Sequence, residues 1–202
     1  MNLRPLSGTI LLLGFGLIVV GVVLSPPNLY QASDLNAQLQ ILAQHSTRFA
    51  ASQVFSLAGI LVVAAGYVLF ALSLRGLQKP GLPYAGAAAF VLASIAVTIA
   101  VYPSLSDPAA FLESGLDTPW AVAFVWSTIL GHILSGIVFL AGSFPRWLGY
   151  GTIGAAALAA VGIVLVDAAI VELLFILPLV VGIVLVRRPR RQAQAAMAGG
   201  AL

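Results

Sequence analysis

The sequence predicts an all-α integral membrane protein, a bundle of six transmembrane helices with its N-terminus and C-terminus in the cytoplasm. Of its 202 residues, 61% are hydrophobic and only 7% are charged, whereas a soluble domain needs far more charge on its surface. Several apolar stretches have a length of about 20 residues, which is the length of helix that spans the hydrocarbon core of a bilayer. Such a stretch crosses lipid as a helix, because its backbone polar groups must pair within the segment.

Six spans follow from these stretches and from the breaks between them. The first resembles a signal peptide, but Pro26 and Pro27 stand where a signal peptidase would need to cut, so we interpret it as an uncleaved helix. Residues 147–186 contain 40 positions without Lys or Arg. As one helix they would be about 60 Å long, twice the hydrocarbon core, so they must form two helices that meet around Asp167. The predicted spans are 8–25, 53–74, 84–102, 120–142, 147–166 and 168–186.

The basic residues orient these spans. With an inside N-terminus, only Arg48 of the nine Lys and Arg residues falls outside, which is a strong positive-inside signal. The eight inside residues are Arg4, Arg75, Lys79, Arg146, Arg187, Arg188, Arg190 and Arg191. The last four follow the final span directly and are expected either to contact anionic lipid headgroups or to act as a simple stop-transfer anchor. Residues 1–191 form the single predicted domain, and residues 192–202 are predicted to be a disordered cytoplasmic tail.

Two outer segments are predicted to be short helices. Segment 33–49 has its leucines on one face and Ser33 or Asp34 as a plausible N-cap, so it is predicted to lie on the outer surface as an amphipathic helix. Segment 107–115 starts with Asp, then Pro at the first helical position, and ends with Gly, which is typical of a short helix.

Small residues recur at helix-packing spacing in three spans. Lipid removes the usual hydrophobic drive between helices, so close approach at small residues is expected to hold the bundle together. The predicted packing residues are Ser56, Gly59 and Gly66 in span two, Ser127 and Gly131 in span four, and Gly151 and Ala155 in span five. Pro178 is expected to kink span six.

A histidine near the middle of span four is the first candidate functional group. His132 shares a helix face with Thr128 and Ser135. A mid-membrane imidazole needs hydrogen-bond partners or a wet cavity. His132 is therefore either a neutral histidine bonded to a neighbouring helix or a group that handles protons or binds a ligand.

Glu172 is the second candidate. It follows Asp167, the predicted tip of an outer turn, so either both carboxylates lie at headgroup level or Glu172 points into the bundle. The other candidate polar side chains of the outer half are Gln53, Ser56, Ser94 and Thr98. This asymmetry indicates a pocket open to the outside, or it is chance, because serine and threonine often bond their own helix backbone.

The sequence lacks the residues of several familiar chemistries. It has no cysteine, which excludes disulfides, thiolate metal sites and cysteine nucleophiles. Lys79, the only lysine, lies in an inner loop and rules out a retinal linkage, and His45 lies in an outer loop, which rules out bis-histidine haem. No zinc, nucleophile-elbow or phosphate-loop motif is present, so no metal site and no cofactor are predicted. The basic residues follow the membrane pattern, so no nucleic-acid partner is expected.

Two stretches resemble a bacterial protein family. Residues 39–75, and residues 131–162 with the motif Pro-Arg-x-Leu-Gly at 145–149, are similar to the domain-of-unknown-function 4386 proteins. The similarity covers about a third of the chain. It implies a six-helix bundle and no established activity, so it assigns no catalytic residue.

Three functions compete. The first is a non-enzymatic membrane protein that binds a small apolar or lipid-like ligand, a partner membrane protein or a second copy of itself. The second is a small transporter or proton-coupled carrier that uses His132 and Glu172. A membrane-embedded enzyme ranks last, because no catalytic constellation is visible. The lack of cysteine and of Asn-x-Ser/Thr sequons fits the bacterial cytoplasmic (inner) membrane, with the lipid bilayer as the first partner.

Overall fold

The computed structural model of the protein describes residues 3–32, 34–75, 81–114, 118–142, 144–166 and 174–199. These residues form eight α-helices, one short 3-10 turn at Leu29–Gln31, and no β-strand. The helices are α1 (Leu3–Leu24), α2 (Leu35–Gln44), α3 (Ser46–Leu72), α4 (Gly81–Ser106), α5 (Pro108–Ser114), α6 (Pro119–Ala141), α7 (Arg146–Val166) and α8 (Ile176–Gly199). The predicted all-α fold class is confirmed for the described part of the chain.

Five helices, α1, α3, α4, α6 and α7, are long and apolar enough to cross a membrane. They correspond to the first five predicted spans. The sixth, 168–186, is not shown to cross. Residues 167–173 lie outside the described ranges, and the apolar part of α8, Ile176–Arg187, is about 18 Å long at 1.5 Å per residue, against a hydrocarbon core of about 30 Å.

Side-chain caps fix where the shorter helices start. Asp34 Oδ1 accepts a hydrogen bond from the Ala37 N–H at 2.8 Å, and Asp107 Oδ1 accepts one from the Ala110 N–H at 3.1 Å. His45, with φ −129° and ψ 26°, separates α2 from α3. Residues 46–49, predicted to belong to the outer helix, therefore extend the membrane helix α3 instead.

The last helix differs from the sequence prediction at Pro178. Pro178 lies in the first turn of α8. A proline is tolerated there because its missing N–H would have no helical partner, so the predicted kink in span six is corrected. The structure describes α8 as far as Gly199, and the disordered tail at 192–202 stays a prediction. The alanines, glutamines and methionine of this segment favour helix.

The backbones of α1 and α3 touch through glycines. A Cβ added to Gly14 would lie 2.8 Å from the Val63 nitrogen and 2.9 Å from the Gly59 oxygen. A Cβ on Gly59 would in turn lie 2.7 Å from the Ile18 nitrogen. Along the same antiparallel seam, Gly66 lies against Leu11. These distances leave no room for any side chain larger than hydrogen at Gly14 and Gly59.

Glycines also join the other helix pairs. A Cβ on Gly8 of α1 would lie 2.9 Å from the Gly182 oxygen of α8, and a Cβ on Gly149 of α7 would lie 2.9 Å from the Gly136 oxygen of α6. Helix α6 meets α4 differently, because a Cβ on Gly131 would lie 3.0 Å from the Phe90 ring. Ser56 packs against Gly21 of α1, and Ser127 is half-buried.

The packed face of α7 matches the predicted one only in part. Gly151 is exposed, and a Cβ added there would meet nothing within 4 Å. Ala155 is half-buried, whereas Thr152, Ala156 and Ala159 are at most 1% exposed. Ala155 packs against the same buried cluster as Ala156 and Ala159, so only Gly151 is corrected as a packing residue. Both faces of α7 carry small residues, and only the neighbouring helix decides between them.

The described basic residues gather mainly at one end of the bundle. Helices α3 and α8 run antiparallel to α1, which places Arg75 and Arg187 at the end where α1 begins. There the Arg4 guanidinium lies 5.8 Å from the Phe144 ring centroid, next to the start of α7. At the opposite end, Arg48 donates hydrogen bonds of 2.9 Å to the carbonyl oxygens of residues 23 and 24. It caps the last turn of α1, so this basic residue has a structural role.

Replacing Gly14 by Leu should lower the free energy of unfolding by at least about 1–3 kcal/mol, because the side chain must force the α1 and α3 backbones apart. Thermal unfolding of the detergent-solubilised protein measures this loss. The control is Gly16→Leu on the same helix, where the site is exposed and a Cβ meets nothing within 4 Å. Equal melting temperatures for the two variants would contradict the backbone contact.

Candidate functional site

His132 lies in the middle of the bundle and is held by its own helix. It is 2% exposed, and its Nδ1 lies 2.8 Å from the Thr128 carbonyl oxygen. A carbonyl oxygen only accepts, so Nδ1 must carry the proton and donate. The neutral imidazole then presents Nε2 as a hydrogen-bond acceptor. Among the described residues this buried Nε2 has no partner.

Two aromatic rings fix the plane of the imidazole. The Phe90 ring lies edge-on to it, with centroids 4.9 Å apart and an interplanar angle of 86°. The Tyr67 ring is also edge-on, at 5.9 Å and 81°, and stacks on Phe90 at 3.9 Å. Edge-to-face and stacked contacts each stabilise the rings beyond their burial. The three rings come from α3, α4 and α6, so His132 is positioned by the packing of three helices.

Tyr67 is a residue that the sequence analysis did not select. Its hydroxyl is buried and has no hydrogen-bond partner in the described part of the chain. The available signal was its position: tyrosines of membrane helices concentrate at the interfaces, as Tyr84 and Tyr102 do at the ends of span three, whereas Tyr67 stands well inside span two. It brings a second unpartnered polar atom next to the His132 ring.

A small cavity lies beside His132. Its volume is about 20 Å³, which is room for about one water-sized group. Its polar lining comes from Ser94, Thr128 and His132. The apolar lining is Ile18, Ile60, Val63, Ala64, Phe90, Ala93, Phe124, Leu174, Phe175 and Pro178. The cavity therefore combines an enclosed apolar wall with a few polar atoms on one side.

The hydroxyl groups of the cavity are already used as donors. Thr128 Oγ1 donates to the Phe124 carbonyl at 2.8 Å, and Ser94 Oγ donates to the Phe90 carbonyl at 2.9 Å. Each oxygen keeps lone pairs that accept. The residues that line the cavity therefore carry hydrogen-bond acceptors, namely these two oxygens and Nε2 of the neutral His132.

A larger groove opens between α3 and α4 on the surface of the bundle that faces the lipid; we call it the outer groove. It has a volume of about 710 Å³ and is lined by Leu61, Ala64, Ala65, Val68, Leu69, Val91, Ser94, Ile95, Thr98 and Ile99. Thr98 Oγ1 donates to the Ser94 carbonyl at 2.7 Å, so both hydroxyls of the groove bond within α4. The surface that the groove presents is apolar.

The structure brings only part of the predicted site together. His132, Thr128 and Ser94 line one cavity. Ser135 instead lines a second cavity of about 10 Å³ with Tyr67, and Thr98 lines the outer groove. Gln53 is half-buried and lines none of these three spaces. Glu172, like Asp167, lies outside the described residues.

Comparisons with known proteins add no assignment. Within the described residues, no three His, Asp or Glu side chains come together as metal ligands. No family model, curated protein or solved structure matches the chain. The resemblance to the domain-of-unknown-function 4386 proteins therefore stays a prediction.

Removing the Tyr67 hydroxyl should cost little. Tyr67→Phe keeps the ring that stacks on Phe90 and removes a buried polar atom that has no described partner. The free energy of unfolding should stay unchanged or rise by up to about 1 kcal/mol. Tyr67→Ala, which deletes the ring, should lower it by about 3–5 kcal/mol. A loss with Tyr67→Phe that approaches the loss with Tyr67→Ala would mean that the hydroxyl is bonded; thermal unfolding in detergent measures both.

Proposed function

We propose that this membrane-embedded helical protein is non-enzymatic and binds a lipid-like ligand in the groove between α3 and α4. The supporting observation is the size and chemistry of that groove, about 710 Å³ with a lining that is apolar apart from two internally bonded hydroxyls. Ligand pockets in proteins fall in the same range of volume and are mostly apolar.

The groove suits an apolar chain because α3 carries small residues where it faces α4. Ala64 and Ala65 leave space that the surrounding Leu, Val and Ile side chains enclose. The lining extends from Leu61 to Leu69 on α3, which is about 12 Å along the helix. An alkyl chain or a flat apolar body laid along this direction buries its surface without leaving any polar group unpaired.

The finer membrane arrangement is part of this proposal. We propose six spans, with α8 completing the last one, both termini in the cytoplasm, and residence in the inner membrane of a bacterium. The clustering of Arg75 and Arg187 at the end where α1 begins supports a common cytoplasmic face. Arg187 is exposed there and available to anionic headgroups. The side chains of Arg188, Arg190 and Arg191 lie outside the described ones.

A proton-coupled carrier that uses His132 and Glu172 is the alternative. The cavity beside His132 holds about one water-sized group, which favours the binding of a small group over the passage of a substrate. The carrier hypothesis requires a water path that reaches His132. Proton uptake into proteoliposomes that is abolished by His132→Gln would favour the carrier over the binding protein.

Filling the groove should remove ligand binding. Ala65 is exposed and lines the groove, so Ala65→Phe places a ring where the ligand chain would lie. Binding of a radiolabelled long-chain alcohol to the protein in lipid nanodiscs should weaken at least about tenfold, the equivalent of 1.4 kcal/mol. Ala157→Phe, on the exposed face of α7 and away from the groove, should bind as the parent does. Equal binding by both variants would contradict a ligand site between α3 and α4.

Reporter fusions test the proposed topology. A fluorescent or alkaline-phosphatase reporter at residue 202 should show a cytoplasmic C-terminus, and reporters inserted at 107–117 should show the outer side, because eight of nine basic residues then lie inside. A phosphatase that is active at residue 202 would place the C-terminus outside and reduce the spans to five.

A further inference from the structure

The outer groove and the buried His132 cavity are separated by two small side chains. Ala64 of α3 and Ser94 of α4 line both spaces. They are 7% and 6% exposed, so the groove on the lipid-facing surface and the cavity at the centre of the bundle adjoin at these two buried residues. We call this pair the Ala64–Ser94 wall. The Ala64 methyl group and the Ser94 hydroxymethyl group thus belong to the lining of both spaces.

We propose that the groove ligand is a long-chain amphiphile with a hydroxyl head, and that this hydroxyl reaches past the Ala64–Ser94 wall to donate a hydrogen bond to His132 Nε2. The inference rests on the proposed function and adds the chemical class of its ligand. The chain lies in the groove, and the head occupies the cavity.

The polarity of the cavity selects the head group. Nε2 of the neutral His132 is a hydrogen-bond acceptor. The Thr128 and Ser94 hydroxyls already donate their protons to carbonyl oxygens of their own helices, so their oxygens can only accept further hydrogen bonds. A hydroxyl provides the donor that all three atoms lack. A carboxylate or an ether has no proton to donate. In the cavity its oxygens and the acceptors of the lining would all lose their hydration without gaining a hydrogen bond.

The size of the cavity further limits which head groups the ligand can have. About 20 Å³ accommodates one oxygen with its hydrogen, which fits a primary alcohol and excludes phosphate or sugar heads. The buried Nε2 is without a described partner, so a single donor placed there removes an unsatisfied polar atom from the centre of the bundle. The donor thus stabilises the bound state beyond what the apolar chain contributes.

The test compares 1-hexadecanol with hexadecyl methyl ether, which has the same chain and no donor. His45→Gln leaves His132 as the only histidine, because the sequence has two. With ¹⁵N-labelled histidine in lipid nanodiscs, the Nε2 resonance reports directly whether that nitrogen accepts a hydrogen bond. The alcohol should shift this resonance and the ether should not. The alcohol should also bind about threefold to tenfold more tightly than the ether, the worth of one hydrogen bond.

A larger side chain at Ala64 tests the contact of the head group with His132 separately from the contact of the alkyl chain with the groove. Ala64→Val should abolish the resonance shift and the preference for the alcohol, while both probes still bind in the groove. Ala71→Val is the matched control, since Ala71 is also buried on α3, at 1% exposed, and lines neither space, and it should behave as the parent does.

Three results would overturn the inference: equal affinity for the two probes, an Nε2 resonance that the alcohol does not move, or an alcohol preference that survives Ala64→Val. Each of these leaves the groove as a lipid-like binding site, because Ala65→Phe tests that site separately. If neither probe binds in a manner that Ala65→Phe weakens, the proposed function fails and this inference fails with it.

Discussion

Direct contact between the backbones of α1 and α3 is the constraint from which the rest of the bundle follows. Gly14 and Gly59 allow the two helices to meet without any intervening side chain. In lipid, where apolar side chains gain nothing by leaving an apolar solvent, such van der Waals contact is what remains to hold helices together. Once α3 is held in this way on one face, its other face is free to meet α4. That second face carries Ala64 and Tyr67, the residues that shape the groove and the aromatic cluster.

Several hydroxyls of the bundle bond within their own helix, whereas two buried polar atoms of the described residues have no partner. The hydroxyls of Ser94, Thr98 and Thr128 each donate to a carbonyl one turn earlier in the same helix. This local bonding removes the need for partners on other helices, so these residues can be tolerated in lipid without any function. The two buried atoms without a partner among the described residues are His132 Nε2 and the Tyr67 hydroxyl. A buried polar atom without a partner is costly, and this is the physical reason to look for a ligand at this position.

In the proposed function, the groove and the cavity make different contributions to ligand recognition. The groove between α3 and α4 offers apolar area, which attracts many lipid-like molecules with little discrimination. The cavity offers few contacts, but its acceptors distinguish one kind of head group from another, because a mismatched polar pair in an enclosed site loses its hydration without compensation. In this proposal the cavity on the inner side of the Ala64–Ser94 wall provides specificity for the head group, and the groove on its lipid-facing side provides most of the affinity.

The amino-acid sequence by itself determined the helical class and the caps of α2 and α5, because hydropathy and capping act over short stretches of chain. Of the six spans that it predicts, five coincide with helices that are long and apolar enough to cross a membrane. The sequence also identified His132 and its neighbour Thr128, since a polar residue in an apolar run stands out without any structure. Only the tertiary structure decided which small residues touch: Gly151 and Gly149 look alike in the sequence, and one faces open space while the other meets Gly136. The structure alone also brought Tyr67 and Ser94 to His132, because contacts between α3, α4 and α6 depend on how each helix is rotated, and that rotation is set by backbone contacts between residues far apart in the chain.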